Sequence, residues 1–115
     1  TYLQETIDNI SNLGLKVQIT ELDVSVYDYR TPGNPDLKPE DSLYTAARET
    51  IQTNMYDMLF KVYRRNRHVI TGVTFWGAAD SRNNFRTSNI GKMDYPFLFD
   101  EFYQPKKAYQ QVVNF

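Results

Sequence analysis

Apolar positions along the chain follow a helical period, then a strand-like period, and the two alternate. The first helical stretch has its apolar residues at Leu3, Ile7, Ile10 and Leu13. Gly14 follows directly and fits the position that ends a helix. Residues 15–20, LKVQIT, then predict a short strand.

A long helix is predicted after a loop that runs from Tyr27 to Asp41 and is rich in proline. Asp41 or Ser42 can cap its start, and we expect it to end around Asn66. One apolar face is predicted for it. This face contains Tyr44, Ala47, Ile51, Met55, Met58, Leu59 and Val62.

A second strand and a last helix complete the pattern. Residues 69–80, VITGVTFWGAAD, contain strand-forming side chains at most of their first eight positions. Pro105 fits the first turn of a helix. The residues of that helix predicted to face inward are Ala108, Tyr109, Val112 and Val113.

The order helix, strand, helix, strand, helix predicts an α/β protein with parallel strands. Two parallel strands make a poor core, because a parallel sheet needs more strands and cover on both faces. We therefore interpret the chain as a piece of a larger α/β body. A small self-contained α+β domain is the alternative.

Composition excludes several classes of function. The net charge of the 115 residues is −1 and no long basic block occurs, so we expect no nucleic-acid binding. No apolar run approaches the roughly 20 residues of a membrane helix, so we expect no membrane insertion. The absence of cysteine excludes disulfides and thiolate metal sites. Without metal-ligand spacing or a phosphate loop, we expect no metal and no cofactor.

Polar side chains follow the carboxyl ends of both predicted strands. The first strand leads into Glu21 and Asp23, and the second leads into Trp76 and Asp80. In parallel sheets and (β/α)8 barrels, active sites form at this edge. Simple alternation puts Glu21 in phase with buried valine and isoleucine, unless a bulge intervenes. On this pattern alone, a salt-bridged structural glutamate and a catalytic one are equally good interpretations.

Three segments in the same order resemble family 10 glycoside hydrolases, the endo-1,4-β-xylanases. GLKVQITELDV, residues 14–24, is similar to the family's nucleophile signature. VITGVTFWGAAD, residues 69–80, resembles its eighth strand, which ends in Trp-Gly. DYPFLFDEFYQPKKAY, residues 94–109, is similar to its closing segment. Each match is of moderate specificity, and together they cover nearly the whole chain.

The resemblance implies a (β/α)8 TIM barrel of which residues 1–115 are the C-terminal portion, from the sixth helix through the eighth strand and helix. Such a fragment is an incomplete barrel on its own. The resemblance assigns the catalytic nucleophile to Glu21. The family's acid/base glutamate follows a motif that is absent here, and Glu5, Glu40, Glu49 and Glu101 do not match it. We therefore expect little or no activity from the chain alone.

The resemblance also implies that the ring of Trp76 is a platform for a sugar. The alternative is a tryptophan that belongs to the core at a strand end. Phe85, after Asn83 and Asn84, is the weaker candidate for a second sugar contact, because no second tryptophan is present. Asp23 is expected to support the site or to cap the following loop.

The expected partners are xylan or xylo-oligosaccharide and the remainder of the barrel, supplied by an N-terminal part or a companion chain. Isolated chains are expected to form swapped oligomers, since open strand edges recruit other chains. Secretion or a periplasmic location is implied by the resemblance only, because no signal peptide is visible. A non-catalytic xylan-binding module and a structural fragment remain the alternative functions.

Overall fold

The computed structural model describes residues 1–27, 44–80 and 94–114. Its elements are α1 (Tyr2–Asn12), β1 (Val17–Leu22), α2 (Ala46–Arg65), β2 (Ile70–Phe75) and α3 (Lys107–Val113). The predicted order of elements is thus confirmed. Residues 28–41 of the predicted loop lie outside the described residues. None of the three described helices is long and apolar enough to span a membrane.

Helix α1 has the end signals that its sequence predicts. The Thr1 hydroxyl accepts a hydrogen bond from the Gln4 amide, and Gly14 follows the helix with a φ of 76°. This left-handed conformation is easy for glycine, which explains why the helix ends here. Ile7 is buried, but Leu13 is 75% exposed and does not belong to the packed face.

Helix α2 begins later than predicted. Its N-cap is Thr45, whose hydroxyl accepts a hydrogen bond from the Arg48 amide at 3.2 Å. The predicted caps Asp41 and Ser42 lie outside the described residues. The predicted end is confirmed, since Asn66 is the C-cap.

The predicted apolar face of α2 is largely wrong. Ile51, Met55 and Met58 are 62%, 36% and 42% exposed. The buried residues of α2 are Gln52, Tyr56, Phe60, Val62 and Tyr63. Of the predicted face, only Val62 is among them, and Leu59 is partly buried against the core. The face that contains Gln52 and Tyr56 can be buried because their polar ends have partners in the core: Gln52 Nε2 donates to the carbonyls of Val24 and Tyr95, and the Tyr56 hydroxyl donates to the Pro96 carbonyl.

The two strands pair in parallel and form one two-stranded sheet within the described residues. Side chains from both strands pack against α2 and α3 in one core. Its buried members are Leu22, Val24, Tyr56, Phe60, Tyr63, Leu98 and Ala108. A smaller cluster of Ile7, Val62 and Val69 joins α1 to α2. The helices thus cover one face of the sheet.

Helix α3 starts two residues after Pro105, with Lys106 at its N-cap. Ala108 is fully buried, and Tyr109 and Val112 pack against the core as predicted. Val113 is 39% exposed, so its predicted inward position is wrong. The helix has seven residues.

An irregular segment, residues 94–99, lies against α2 and the ends of both strands. Side chains of α2 bind its backbone: the Gln52 amide donates to the Tyr95 carbonyl at 2.6 Å, and the Tyr56 hydroxyl donates to the Pro96 carbonyl at 2.6 Å. These bonds give partners to backbone carbonyls that lie outside the helices and strands. The segment is thereby fixed beside the strand ends.

We predict that Tyr56→Phe destabilises the chain by about 1 kcal/mol, because it removes the shorter of the two hydrogen bonds that the buried Pro96 carbonyl accepts and leaves only the Val24 amide at 3.3 Å. Tyr2→Phe is the matched control, since Tyr2 is 90% exposed. Urea unfolding of both variants measures the difference. Equal unfolding free energies for the two variants would contradict this role of the Tyr56 hydroxyl.

Candidate active site

A β-bulge near the end of β1 determines where Glu21 lies. The register pairs that flank it are Ile19 with Val73 and Leu22 with Phe75. Between these pairs β1 has two residues, Thr20 and Glu21, whereas β2 has only Thr74. This two-against-one pairing is the definition of a bulge, a feature that re-aims side chains beside active sites.

The bulge removes Glu21 from the buried phase of the strand. Ile19 and Leu22 both pack against the core, whereas Glu21 is exposed. Strict alternation would put Glu21 in the buried phase, and the bulge is the exception that moves it out. No described residue donates a hydrogen bond to its carboxylate.

The backbone of Glu21 is in the left-handed region, with a φ of 56°. For a residue with a Cβ atom this conformation costs roughly 1–2 kcal/mol. Strained residues of this kind cluster at functional sites, where the surrounding structure holds them in place. The strain indicates that the fold holds Glu21 in this position at a cost in local stability.

Trp76 lies next to Glu21 at the same edge of the sheet. Its amide donates to the Leu22 carbonyl at 3.0 Å, which continues the ladder one residue beyond β2. Its side chain is 56% exposed, and a sugar platform at Trp76 remains a prediction. The structure thus brings together the two residues that the sequence marked as nucleophile and sugar platform.

Asp23 lies half-buried beyond the bulge. Burial raises the pKa of its carboxyl, and the nearby charge of Asp94 raises it further. Asp94 is buried, and its Oδ1 accepts hydrogen bonds from the amides of Val26 at 3.1 Å and Tyr95 at 2.8 Å. Two carboxyl groups therefore share a poorly solvated region behind the strand end. A supporting role for Asp23 remains a prediction.

A buried ion pair lies beneath the second strand end. The ammonium group of Lys106 is 2.8 Å from Asp80 Oδ2, and both side chains are almost completely buried. Burial raises the pKa of the Asp80 carboxyl, although the charge of Lys106 acts in the opposite direction. Burial also lowers the pKa of Lys106, and the charge of Asp80 opposes that shift. The pair connects the end of β2 to the start of α3.

Asp80, Lys106, Asp94, Gln52 and Tyr56 form a buried polar layer beneath the strand ends, and sequence reasoning missed most of it. Asp80 was singled out as the polar end of the second strand, but Lys106, Asp94, Gln52 and Tyr56 were not. Gln52 and Tyr56 could have been found, because they lie at helical spacing from Phe60 and Tyr63 on the same face of α2. Lys106 gave none, because a lysine beside a helix start normally faces water.

The predicted second sugar contact, Phe85, lies outside the described residues, as do Asn83 and Asn84. Glu40, which does not match the acid/base motif, lies outside them too. Of the described glutamates, only Glu21 lies at a strand end: Glu5 and Glu49 are in helices and Glu101 is in a turn. Within residues 1–27, 44–80 and 94–114, no cluster of acidic or histidine side chains is suited to holding a metal ion.

The geometry supplies an exposed carboxylate beside an exposed aromatic ring at the carboxyl edge of a parallel sheet. An aromatic ring presents an apolar surface to one side of a ligand, and a carboxylate can act as a nucleophile or a base. Such an arrangement is typical of one wall of a carbohydrate-processing site in an α/β enzyme.

The comparisons with known proteins agree with this class. The profile of glycosyl hydrolase family 10 matches residues 1–115, and the chain belongs to that family. A β-1,4-xylanase of Dictyoglomus thermophilum is 37% identical over 115 residues, which are 98% of this chain and 31% of the relative. An endo-1,4-β-xylanase of Geobacillus stearothermophilus is 32% identical over 97% of this chain and 33% of its own length.

Solved structures show the same relation. The endo-1,4-β-xylanase of Caldicellulosiruptor owensensis superimposes with a TM-score of 0.81 at 37% identity, covering 98% of this chain and 33% of that protein. A mutant structure in complex with xylotriose gives a TM-score of 0.81 at 37% identity, with the same coverage. The chain thus spans about a third of the relatives it matches, and its fold is an α/β piece of a TIM barrel.

We predict that Glu21→Gly is more stable than Glu21→Ala by about 1 kcal/mol, because glycine accepts the left-handed backbone without strain. Urea unfolding of the two variants measures the difference. Thr20 supplies the matched control, since its φ is not positive and Thr20→Gly is expected to be less stable than Thr20→Ala. The same order at both positions would contradict a strained Glu21.

We predict that Asp23→Asn gains stability relative to the parent chain as pH rises. The raised pKa of Asp23 means that the folded state favours its protonated form. That contribution is present below the ordinary pKa of 3.8 and is lost as pH rises through the raised value. Unfolding free energies on either side of this window measure the effect. Thr20→Ala, which does not titrate, should show no such change, and a pH-independent Asp23→Asn difference would contradict the prediction.

Proposed function

We propose that the chain is the nucleophile-bearing C-terminal part of a retaining endo-1,4-β-xylanase, which hydrolyses internal β-1,4 bonds of xylan. The observation that carries the proposal is the exposed Glu21 on its strained bulge beside the exposed Trp76. The relatives' names supply the substrate class. In this assignment α1 is the sixth helix of the barrel, β1 and α2 form the seventh unit, and β2 and α3 form the eighth.

Retaining hydrolysis gives Glu21 a specific chemical task. Its carboxylate attacks the anomeric carbon, while a second carboxyl group protonates the departing glycosidic oxygen. The resulting ester between sugar and Glu21 is then cleaved by water, which the second carboxyl group deprotonates. Exposure suits Glu21 to this task, because the attacking group must be ionised and open to the sugar.

We expect the second carboxyl group to come from the rest of the barrel. Retaining enzymes hold the two carboxyl groups about 5–5.5 Å apart, and no other described glutamate lies at the strand ends. Asp23 is two residues from Glu21 in the chain and therefore lies beside it rather than across the sugar. We expect little or no turnover from the chain alone.

The surface of the chain favours the rest of the barrel as a partner. Within the described residues each strand has one neighbour, so each leaves one edge unpaired. Ile51, Met55 and Met58 form an exposed apolar stripe on α2. An apolar hollow of about 280 Å³ also opens beside the end of β2, lined by Phe75, Gly77, Ala78, Leu98 and Phe99. We propose that an N-terminal part or companion chain covers these surfaces, and that isolated chains form swapped oligomers.

A non-catalytic xylan-binding role is the second candidate, and the exposure of Trp76 is the observation that favours it. Binding of this kind would survive Glu21→Gln and be lost in Trp76→Ala. We also propose a secreted or periplasmic location, since a polysaccharide such as xylan does not cross membranes.

We predict that the chain gains hydrolysis of an aryl β-xylobioside when it is mixed with the N-terminal part of a family 10 barrel. Glu21→Gln should abolish the gain, because an amide cannot replace the attacking carboxylate. Glu101→Gln, at an exposed turn, is the matched control and should leave it intact. Full activity of the Glu21→Gln mixture would overturn the assignment of the nucleophile.

A further inference from the structure

The backbone that follows Trp76 rests directly on an aromatic ring. A Cβ atom placed on Gly77 would lie 2.8 Å from the Phe97 ring, closer than carbon atoms approach. Only glycine therefore allows the ring to lie against this backbone. Phe97 is buried, and its ring lies against the backbone immediately after Trp76, whose indole is exposed.

The position of Phe97 is set by the buried ion pair. Its amide donates to Asp80 Oδ1 at 2.9 Å, and its carbonyl accepts from the Lys106 ammonium at 2.8 Å. Both backbone polar groups of Phe97 are thus bound by one pair of side chains. Lys106 also donates to the Tyr95 carbonyl at 2.7 Å and to Asp80 Oδ2 at 2.8 Å. All three of its N–H donors are used.

The same segment returns to the chain that leaves Trp76. The Phe99 amide donates to the Ala78 carbonyl at 3.2 Å, and the Asp80 amide donates to the Phe99 carbonyl at 2.9 Å. Residues 77–80 therefore run beside residues 97–99. On the other side, the Trp76 amide is bonded to the Leu22 carbonyl. Trp76 is held between β1 and this second ladder.

Stability alone does not explain a buried ion pair at this place. Apolar residues of similar volume usually stabilise a core as well or better, because two charges lose their hydration on burial. What the pair supplies is directed hydrogen bonding to one short stretch of backbone. The geometry of the ion pair thus controls the orientation of the backbone of Phe97 beside the end of β2.

We propose that Asp80 and Lys106 are positioning residues for Trp76: by binding the amide and carbonyl of Phe97, they seat its ring under Gly77 and fix the indole at the rim of the site. The consequence for sugar binding rests on the proposed function. The consequence for the order of Trp76 does not, and it can be measured without any sugar.

Trp76 is the only tryptophan of the sequence, so intrinsic fluorescence reports on it alone. The test variant is Asp80→Leu with Lys106→Met, which removes both charges and leaves neither unpaired. The matched control is Glu49→Gln with Lys107→Met, a neighbouring pair 3.6 Å apart in which the lysine is exposed. We expect the test variant to lose fluorescence anisotropy and to become more accessible to acrylamide, whereas the control retains the parent values.

Unchanged anisotropy and quenching in a folded test variant would overturn the proposal. If circular dichroism shows that the double variant does not fold, Gly77→Ala, whose Cβ atom would displace the Phe97 ring, provides the same two measurements and the same criterion.

The sugar-dependent arm uses the chain complemented with the N-terminal part of a family 10 barrel. Removing the pair should lower kcat/KM on the order of 100-fold, as expected for a misplaced binding group. In a background of Trp76→Ala it should have little further effect, because the pair acts through Trp76. Additive losses would overturn the proposal. Lost anisotropy with unchanged kcat/KM would support the positioning role and overturn the sugar role of Trp76.

Discussion

The site depends on the pairing of β1 with β2. Between the pairs Ile19–Val73 and Leu22–Phe75, β1 has one residue more than β2. Strand β1 must return Leu22 to the core after Ile19, yet Glu21 has to leave it. A regular strand cannot meet both requirements, because its side chains alternate strictly. The bulge adds one residue, with a left-handed backbone at Glu21, and so separates the packing of the strand from its chemistry.

The second strand end is organised by side chains rather than by sheet. Residues 94–99 have little regular structure, and a buried irregular segment needs partners for its backbone groups. Gln52, Tyr56 and Lys106 supply donors to its carbonyls, and Asp80 accepts from the Phe97 amide. The polar layer therefore joins α2, α3 and the strand ends immediately beneath Trp76. It also explains why α2 buries a tyrosine and a glutamine in preference to its methionines.

The sequence was a good guide to the elements and a poor guide to some of their faces. Periodicity predicted all three helices and both strands, and Gly14 and Asn66 marked helix ends correctly. The face of α2 was wrong, because hydropathy ranks Ile51 and Met58 above Gln52 and Tyr56, whereas the core selects by hydrogen-bond partners. In a barrel fragment, apolar side chains that would meet missing elements also remain exposed, and a rule based on burial cannot recognise them.

The candidate site was predictable only in part, for a similar reason. Glu21 and Trp76 stand at strand ends, which parallel topology brings to one edge. The bulge was invisible in the sequence, because it depends on the partner strand having Thr74 alone between Val73 and Phe75. The Asp80–Lys106 pair links residues 26 positions apart through an irregular segment, and no local pattern encodes such a contact.

The central claim is that Glu21 is the nucleophile of a retaining glycosidase. Its most direct test is covalent trapping with a 2-fluoro xylobioside carrying a good leaving group, using the chain complemented with the N-terminal part of a family 10 barrel. Mass spectrometry of the digested complex locates the sugar ester. The account predicts the label on the peptide that contains Glu21, and no label on that peptide in Glu21→Gln. A label on any other residue, or one that persists on that peptide in Glu21→Gln, would contradict it.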